Sequence, residues 1–183
     1  GDVLMGLPSS GLHTNGYSLA RRVLQVGMGE PPEETCARLD ERPAVLGGAT
    51  LGEALLATHR PYHHVVRPLL DQAHAIAHIT GGGLPGNLPR VLPKGTQAVI
   101  RRGSWRVPPI FGLIERVGRV PRDEMDRTFN NGVGFVLIVA AARAGGWIDR
   151  ARPEHLVVDA GGVQQRRVEQ RAVAFTCEQS GGG

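Results

Sequence analysis

Three consecutive glycines, Gly81, Gly82 and Gly83, stand between a short apolar run at residues 73–79 and three leucines, Leu84, Leu88 and Leu92, at four-residue spacing. The run before them is apolar on alternate positions and stops at the glycines, which predicts a strand. The leucines after them, with Pro85 early enough for a first helical turn, predict a helix. Glycines at such a junction carry no Cβ and permit positive φ, so backbone N–H groups can converge on one point. A strand, a glycine loop and a helix start together describe an anion site, with Thr80, Gly81, Gly82, Gly83 and Asn87 as its candidate substrate or phosphate contacts. A tight strand-to-helix turn that holds no ligand remains the alternative, because glycine loops alone are weak signals.

The same order of elements opens the chain. Residues 2–7 form a short apolar run, residues 8–18 are dense in small polar groups, and residues 19–26 carry Leu19, Val23 and Val26 on one helical face with Arg21 and Arg22 outside. Within that loop Asn15 or Ser18 suits a helix cap, and the serines suit turns. No cap or turn requires His13. A histidine among small donors beside a helix start is a candidate catalytic acid–base or phosphate-contacting group. Ser10, Gly11, Thr14 and Asn15 accompany it as candidate substrate or phosphate contacts.

Residues 27–48 read as an exposed connection, and residues 51–57 as a short helix capped by Thr50. Pro61 opens a further helix with Val65, Val66, Leu69 and Leu70 on its apolar side; Arg60 and Tyr62 read as surface or packing residues. Residues 96–100 suit a strand. Pro108 and Pro109 start a helix with Ile110, Leu113, Ile114 and Val117 inward, and Pro121 starts another with acids in its first turn. Asn130 and Asn131 read as turn residues before residues 135–140, the most apolar strand and the expected centre of a sheet. After residue 140 the pattern degrades. Residues 156–158 suit a short edge strand, residues 164–179 show no clear period, and the whole segment is expected to be loosely ordered.

With 183 residues, 41% of them hydrophobic and only 4% aromatic, the chain can build one core from Leu, Val, Ile and Ala. The net charge of +4 favours anions, yet its arginines are scattered among acids, with no basic stripe interleaved with aromatics. A phosphate-bearing small molecule therefore fits better than nucleic acid. Cys36 and Cys177 lack metal-ligand spacing, and the adjacent His63 and His64 point apart on a regular element, so no metal site held by this chain alone is expected. No apolar run reaches membrane-spanning length and no signal peptide opens the chain, which predicts a cytoplasmic protein with no membrane partner. The chain begins Gly1-Asp2-Val3-Leu4, already inside a strand-like run, and reads as a piece of something longer.

Three long stretches, residues 7–21 (LPSSGLHTNGYSLAR, preceded by Gly1-Asp2-Val3-Leu4), 75–93 (AIAHITGGGLPGNLPRVLP) and 124–136 (EMDRTFNNGVGFV), resemble the phosphoribosylformylglycinamidine cyclo-ligase family, also called aminoimidazole ribonucleotide synthetase. Trp105 and Pro108 fall where that family has them. The resemblance covers residues 1–140 and implies the C-terminal domain of a two-domain, homodimeric enzyme whose N-terminal ATP-binding domain is absent here. It implies an α+β fold, a three-layer α/β/α arrangement around a mostly antiparallel sheet, partly ferredoxin-like. Asn130-Asn131-Gly132 stands where the family usually has Asn-Cys-Gly, and residues 141–183 diverge from the family's closing helix and strand.

The activity so implied is ATP-dependent closure of formylglycinamidine ribonucleotide to the imidazole ring of aminoimidazole ribonucleotide, in purine biosynthesis. ATP phosphorylates the formamide oxygen, the amidine nitrogen attacks, and phosphate leaves. Such a step needs positioning and electrostatic stabilisation more than a protein nucleophile. Mg²⁺ is expected with ATP, its ligands mainly in the N-terminal half. Two alternatives stay open: a related ATP enzyme of the same architecture, and a non-catalytic domain that binds a phosphate ligand or completes a complex.

Overall fold

An apolar strand such as residues 135–140 needs hydrogen-bond partners on both sides, and it has them. The computed structural model describes residues 1–148, 158–165 and 173–175. Strands β1 (Asp2–Pro8), β2 (Ala73–His78), β3 (Thr96–Ile100), β4 (Val133–Ala140), β5 (Val158–Gln165) and β6 (Val173–Phe175) form one sheet in the order β2-β4-β1-β5-β3-β6. Every pairing is antiparallel. The chain is α+β, as expected.

Both faces of the sheet's centre are apolar, which is why β1 and β4 read as continuous runs. Leu4, Val136 and Ile138 pack with Leu84, Leu88, Ala98 and Ile100 on one face. Met5, Leu7, Leu137 and Val139 pack with Tyr62, Val66 and Ala144 on the other. A third cluster joins Leu12 to helices α1 (Tyr17–Leu24), α3 (Leu51–Leu55), α6 (Pro109–Gly118) and α7 (Arg122–Thr128). Few aromatics are needed; Phe111 and Phe129 meet edge to face, with centroids 5.7 Å apart.

Several local expectations hold for the stated reason. Thr50 accepts from Glu53 N–H while the Glu53 carboxylate accepts from Thr50 N–H, a complete capping box at α3. Others need correction. Neither Asn15 nor Ser18 caps α1; Gly16 does so, at φ 73°, with no side-chain bond. In α6 the buried face is Ile110, Phe111 and Ile114, and Val117 is 56% exposed; at this end of the helix Gly118 is the residue packed against Val23 and Val120. The helix expected after Pro61 is the short α4 (His63–Val66), which passes into a 3₁₀ turn at Arg67–Gln72 where Leu70 is likewise exposed. The connection at 27–48 contains α2 (Pro32–Asp40), with proline at its start, Glu33 and Glu34 in its first turn and no buried residue. A helix without an apolar stripe leaves no 3.6-residue period to detect.

The segment after β4 also departs from expectation. Helix α8 (Ala141–Ile148) follows directly, despite Gly145 and Gly146, whose low helix propensity hid it. The short edge strand expected at residues 156–158 is instead β5, eight residues long and inside the sheet between β1 and β3. Leu156 and Val157 lie outside the described residues. Gly161, Gly162, Gln164 and Gln165 mask the alternation in β5, and pairing on both sides compensates for that poor composition.

Topology sets the site. Both β1 and β2 run antiparallel to β4, so they run parallel to each other and end at the same side of the sheet. Leu7 and His78 both pair with Phe135 near the start of β4. The segments that follow β1 and β2 therefore converge with the turn that precedes β4.

Candidate functional site

At this convergence β1 ends in a turn whose geometry is held by side chains. His13 and Thr14 are consecutive non-glycine residues in the left-handed region, at φ 52° and 60°. The Thr14 hydroxyl and the Asn15 amide both donate back to His13 O, at 2.6 and 2.7 Å. His13 itself is 2% exposed. Its Nε2 faces Ser10 N–H at 3.0 Å and Arg60 N–H at 3.4 Å. Two N–H donors make Nε2 an acceptor, which places the proton of the neutral ring on Nδ1. Nδ1 is buried and has no partner among the described residues. Ser10 Oγ lies 2.8 Å from Nε2 and donates to Thr58 O at 2.6 Å.

Over this histidine lie groups from two further segments. His59 stacks on it, with ring centroids 4.0 Å apart, and His78 at the end of β2 lies 5.4 Å from His59. Tyr62 packs against His78 and Phe135 and donates to Pro8 O at 3.0 Å. His59, Arg60, Tyr62, His78 and Phe135 line an open depression beside His13. Burial, then the neighbouring His59, His78 and Arg60, hold the His13 imidazolium pKa down at about 4. Burial and then His59 lower His78 in the same direction, and burial raises the Tyr62 hydroxyl well above its ordinary range. At neutral pH the turn therefore presents an uncharged imidazole.

The glycine loop meets this turn. A Cβ on Gly81 would lie 3.8 Å from Asn15 Oδ1. Gly83 N–H closes a turn on Thr80 O at 3.0 Å, and no hydrogen bond among the described residues engages the N–H of Gly81 or Gly82. The helix that follows, α5 (Gly83–Asn87), is only five residues long and passes into a 3₁₀ turn at Leu88–Arg90. A helix this short adds little dipole to the loop, so its backbone N–H groups carry what anion affinity it has. Gly82 and Gly83 do take positive φ, at 98° and 57°. Asn87 is buried behind the loop and donates to Gly83 O at 2.7 Å and Gly81 O at 3.3 Å, while Thr80 Oγ1 donates to Asn87 Oδ1 at 3.3 Å. Its amide shapes the loop from within.

Of the predicted residues, Ser10, Gly11, His13, Thr14 and Asn15 thus lie in the turn after β1, and Thr80, Gly81 and Gly82 in the loop after β2 that meets it at Asn15, while Gly11, His13, Gly83 and Asn87 are buried. Sequence reasoning missed His59, His78 and the role of Tyr62. Their signal was a cluster of ring residues flanking the strand that leads to the glycines, legible only once β2 is placed beside β4. It also missed Asn130, which is fully buried. Among the described residues no group of three or more His, Cys, Asp or Glu is placed to hold a metal ion. No helix among them is long and apolar enough to cross a membrane.

Residues 1–171 match the family model described as AIR synthase related protein, C-terminal domain. A phosphoribosylformylglycinamidine cyclo-ligase of Symbiobacterium thermophilum is 53% identical over 146 residues, which cover 79% of this chain and 40% of that protein. The cyclo-ligase of Anaeromyxobacter sp. strain Fw109-5 is 56% identical over 142 residues, 76% of this chain and 39% of that protein. That of Myxococcus xanthus is 51% identical over 142 residues, with the same coverage. The chain thus spans about two fifths of the length of these curated relatives.

Proposed function

The chain belongs to the AIR synthase related protein C-terminal domain family, and from that premise we propose that it is the C-terminal part of a phosphoribosylformylglycinamidine cyclo-ligase. The observation that carries the reading is identity above half with two proteins of that name across three quarters of the chain. The activity is ATP-dependent ring closure of formylglycinamidine ribonucleotide, in purine biosynthesis, within a cytoplasmic homodimer.

The converging turns supply the positioning this chemistry needs. Phosphate oxygens, of substrate or of ATP, sit between the Ser10, Thr14 and Asn15 wall and the open N–H groups of Gly81 and Gly82. His13 contributes as a neutral imidazole, polarising and orienting, since an imidazolium there is disfavoured by burial. It does not serve as a cationic proton donor at neutral pH. The wall offers hydroxyls, amides and imidazoles without a carboxylate pair, a donor set unsuited to Mg²⁺. The ion that accompanies ATP is therefore assigned to the rest of the full-length enzyme.

The test joins this chain to the preceding portion of the Symbiobacterium thermophilum relative. The chimera should form aminoimidazole ribonucleotide, ADP and phosphate from formylglycinamidine ribonucleotide and ATP, and the chain alone should not, because half a cleft cannot position both substrates. A folded chimera that binds the nucleotide without turnover would instead favour a non-catalytic phosphate-binding domain. Turnover by the chain alone would overturn the division of labour.

A further inference from the structure

We propose that Asn130 is the positioning residue for His13, a clamp that ties the turn after β1 to the turn before β4 and fixes the face the imidazole presents. The proposal rests on the reading above only in placing His13 at the site. Asn130 is 0% exposed, and its amide has all four of its hydrogen-bonding positions used. Oδ1 accepts from Ser9 Oγ at 2.7 Å and from Gly132 N–H at 2.8 Å. Nδ2 donates to Gly11 O at 2.9 Å and to Leu12 O at 3.2 Å. These partners settle the amide's orientation, since a flipped amide would set its N–H₂ against another N–H.

Three features make this more than a satisfied buried polar group. The two carbonyls held by Nδ2 belong to the residues immediately before His13, where an aspartate or a threonine could not donate twice. His13 and Thr14 then adopt successive left-handed conformations, which persist in non-glycine residues only when their surroundings over-determine them. Leu12 O also accepts from Asn15 N–H at 3.2 Å, so the clamp and the local turn close on the same atom. The neighbouring Asn131 has a different task. At φ 47° it makes the left-handed turn itself, and its amide donates to Met125 O and Asp126 Oδ1.

The test is imidazole NMR on the chain itself, which reads ring tautomer and titration without any ligand. In the unmodified chain His13 should show one tautomer, protonated at Nδ1. In Asn130→Asp and Asn130→Ala the core methyl signals should persist while His13 loses that single tautomer and titrates at least about one unit higher. Ser9→Ala removes a single donor to Oδ1 and serves as the milder variant. It should shift His13 in the same direction by less, and it decides the matter if the Asn130 variants do not fold. A His13 resonance unchanged in folded Asn130→Asp, or unchanged in Ser9→Ala where the Asn130 variants do not fold, overturns the proposal. Because the readout involves neither nucleotide nor turnover, such a result leaves the cyclo-ligase reading standing, and an inactive chimera leaves the clamp standing.

Discussion

The imidazole rings of His13 and His59 stack 4.0 Å apart and within 17° of parallel, one beneath the other. A positive charge on the buried His13 ring is disfavoured beside His59, and His78 stands within reach of the second ring. The arrangement has a direct consequence for stability. His13 has a pKa of about 4 in the folded chain against an ordinary value of 6.5. Between those values the unfolded chain binds the proton and the folded chain does not, so stability rises with pH across that window. It is fully present above the unfolded value and is lost as pH falls toward 4. His78 adds to the trend in the same direction. Thermal unfolding from pH 7 to pH 4.5 should show a falling Tm, and His13→Gln should flatten that fall. A Tm independent of pH in both proteins would contradict the burial argument.

A second relationship concerns the strand beside the cluster. A Cβ added at Gly134 would overlap Tyr62 Oη and come within 3.1 Å of His13 Cε1. Gly134→Ala should therefore displace Tyr62 from its bond to Pro8 O and cost about 1–3 kcal/mol, as overpacking does. Adding Tyr62→Phe removes the atom in nearest conflict, so the double variant should recover part of that loss. A double-mutant cycle in denaturant measures the coupling. Strict additivity would show that the two residues do not press on each other.

Helix α5 offers a contrast between two glycines three residues apart. A Cβ on Gly83 would overlap Asp126 O and lie 2.7 Å from Phe129 O, at φ 57°. Gly86 has open space at the same position and an ordinary φ. Gly83→Ala should destabilise by roughly 3 kcal/mol or more, through strain and a backbone clash that cannot relax. Gly86→Ala should be neutral or stabilise by up to about 1 kcal/mol. Equilibrium denaturation of both variants separates a glycine required by packing from one that is merely permitted.

The contrast also shows where the sequence was legible. Residues 81–83 announced a junction, and the apolar runs at 2–7, 73–79, 96–100 and 135–140 became β1 to β4 because each has apolar neighbours on at least one face. Helix α2 was hidden because it buries nothing, and β5 because glycine and glutamine interrupt its alternation. At the site, His13 stood out because no turn or cap explains it. Asn130 did not, because an asparagine before Asn131-Gly132 already has an ordinary explanation as a turn residue. Three of its four bonds reach across more than a hundred residues of chain to Ser9, Gly11 and Leu12, a distance that local pattern cannot bridge. His59 and His78 were invisible for the same reason, since they become neighbours only when β2 pairs with β4.

The glycine loop itself can be tested without confusing binding with folding. Gly82 is a poor probe, because at φ 98° with Gly86 Cα 3.3 Å from a built Cβ any side chain there is strained. Gly81 is a better one. It has no left-handed φ, and its added Cβ would meet only Asn15 Oδ1, at an ordinary 3.8 Å. Gly81→Ala should fold with unchanged stability yet place a methyl between the two walls. If a phosphate oxygen sits there, calorimetry on the chimera should show affinity for formylglycinamidine ribonucleotide or ATP falling about tenfold, roughly 1.4 kcal/mol, since the methyl excludes the oxygen from the Gly81 and Gly82 N–H groups. Whichever ligand weakens identifies whose phosphate the loop holds. Unchanged affinity for both would make the three glycines a turn and nothing more, and would move the phosphate to the Ser10–Asn15 wall alone.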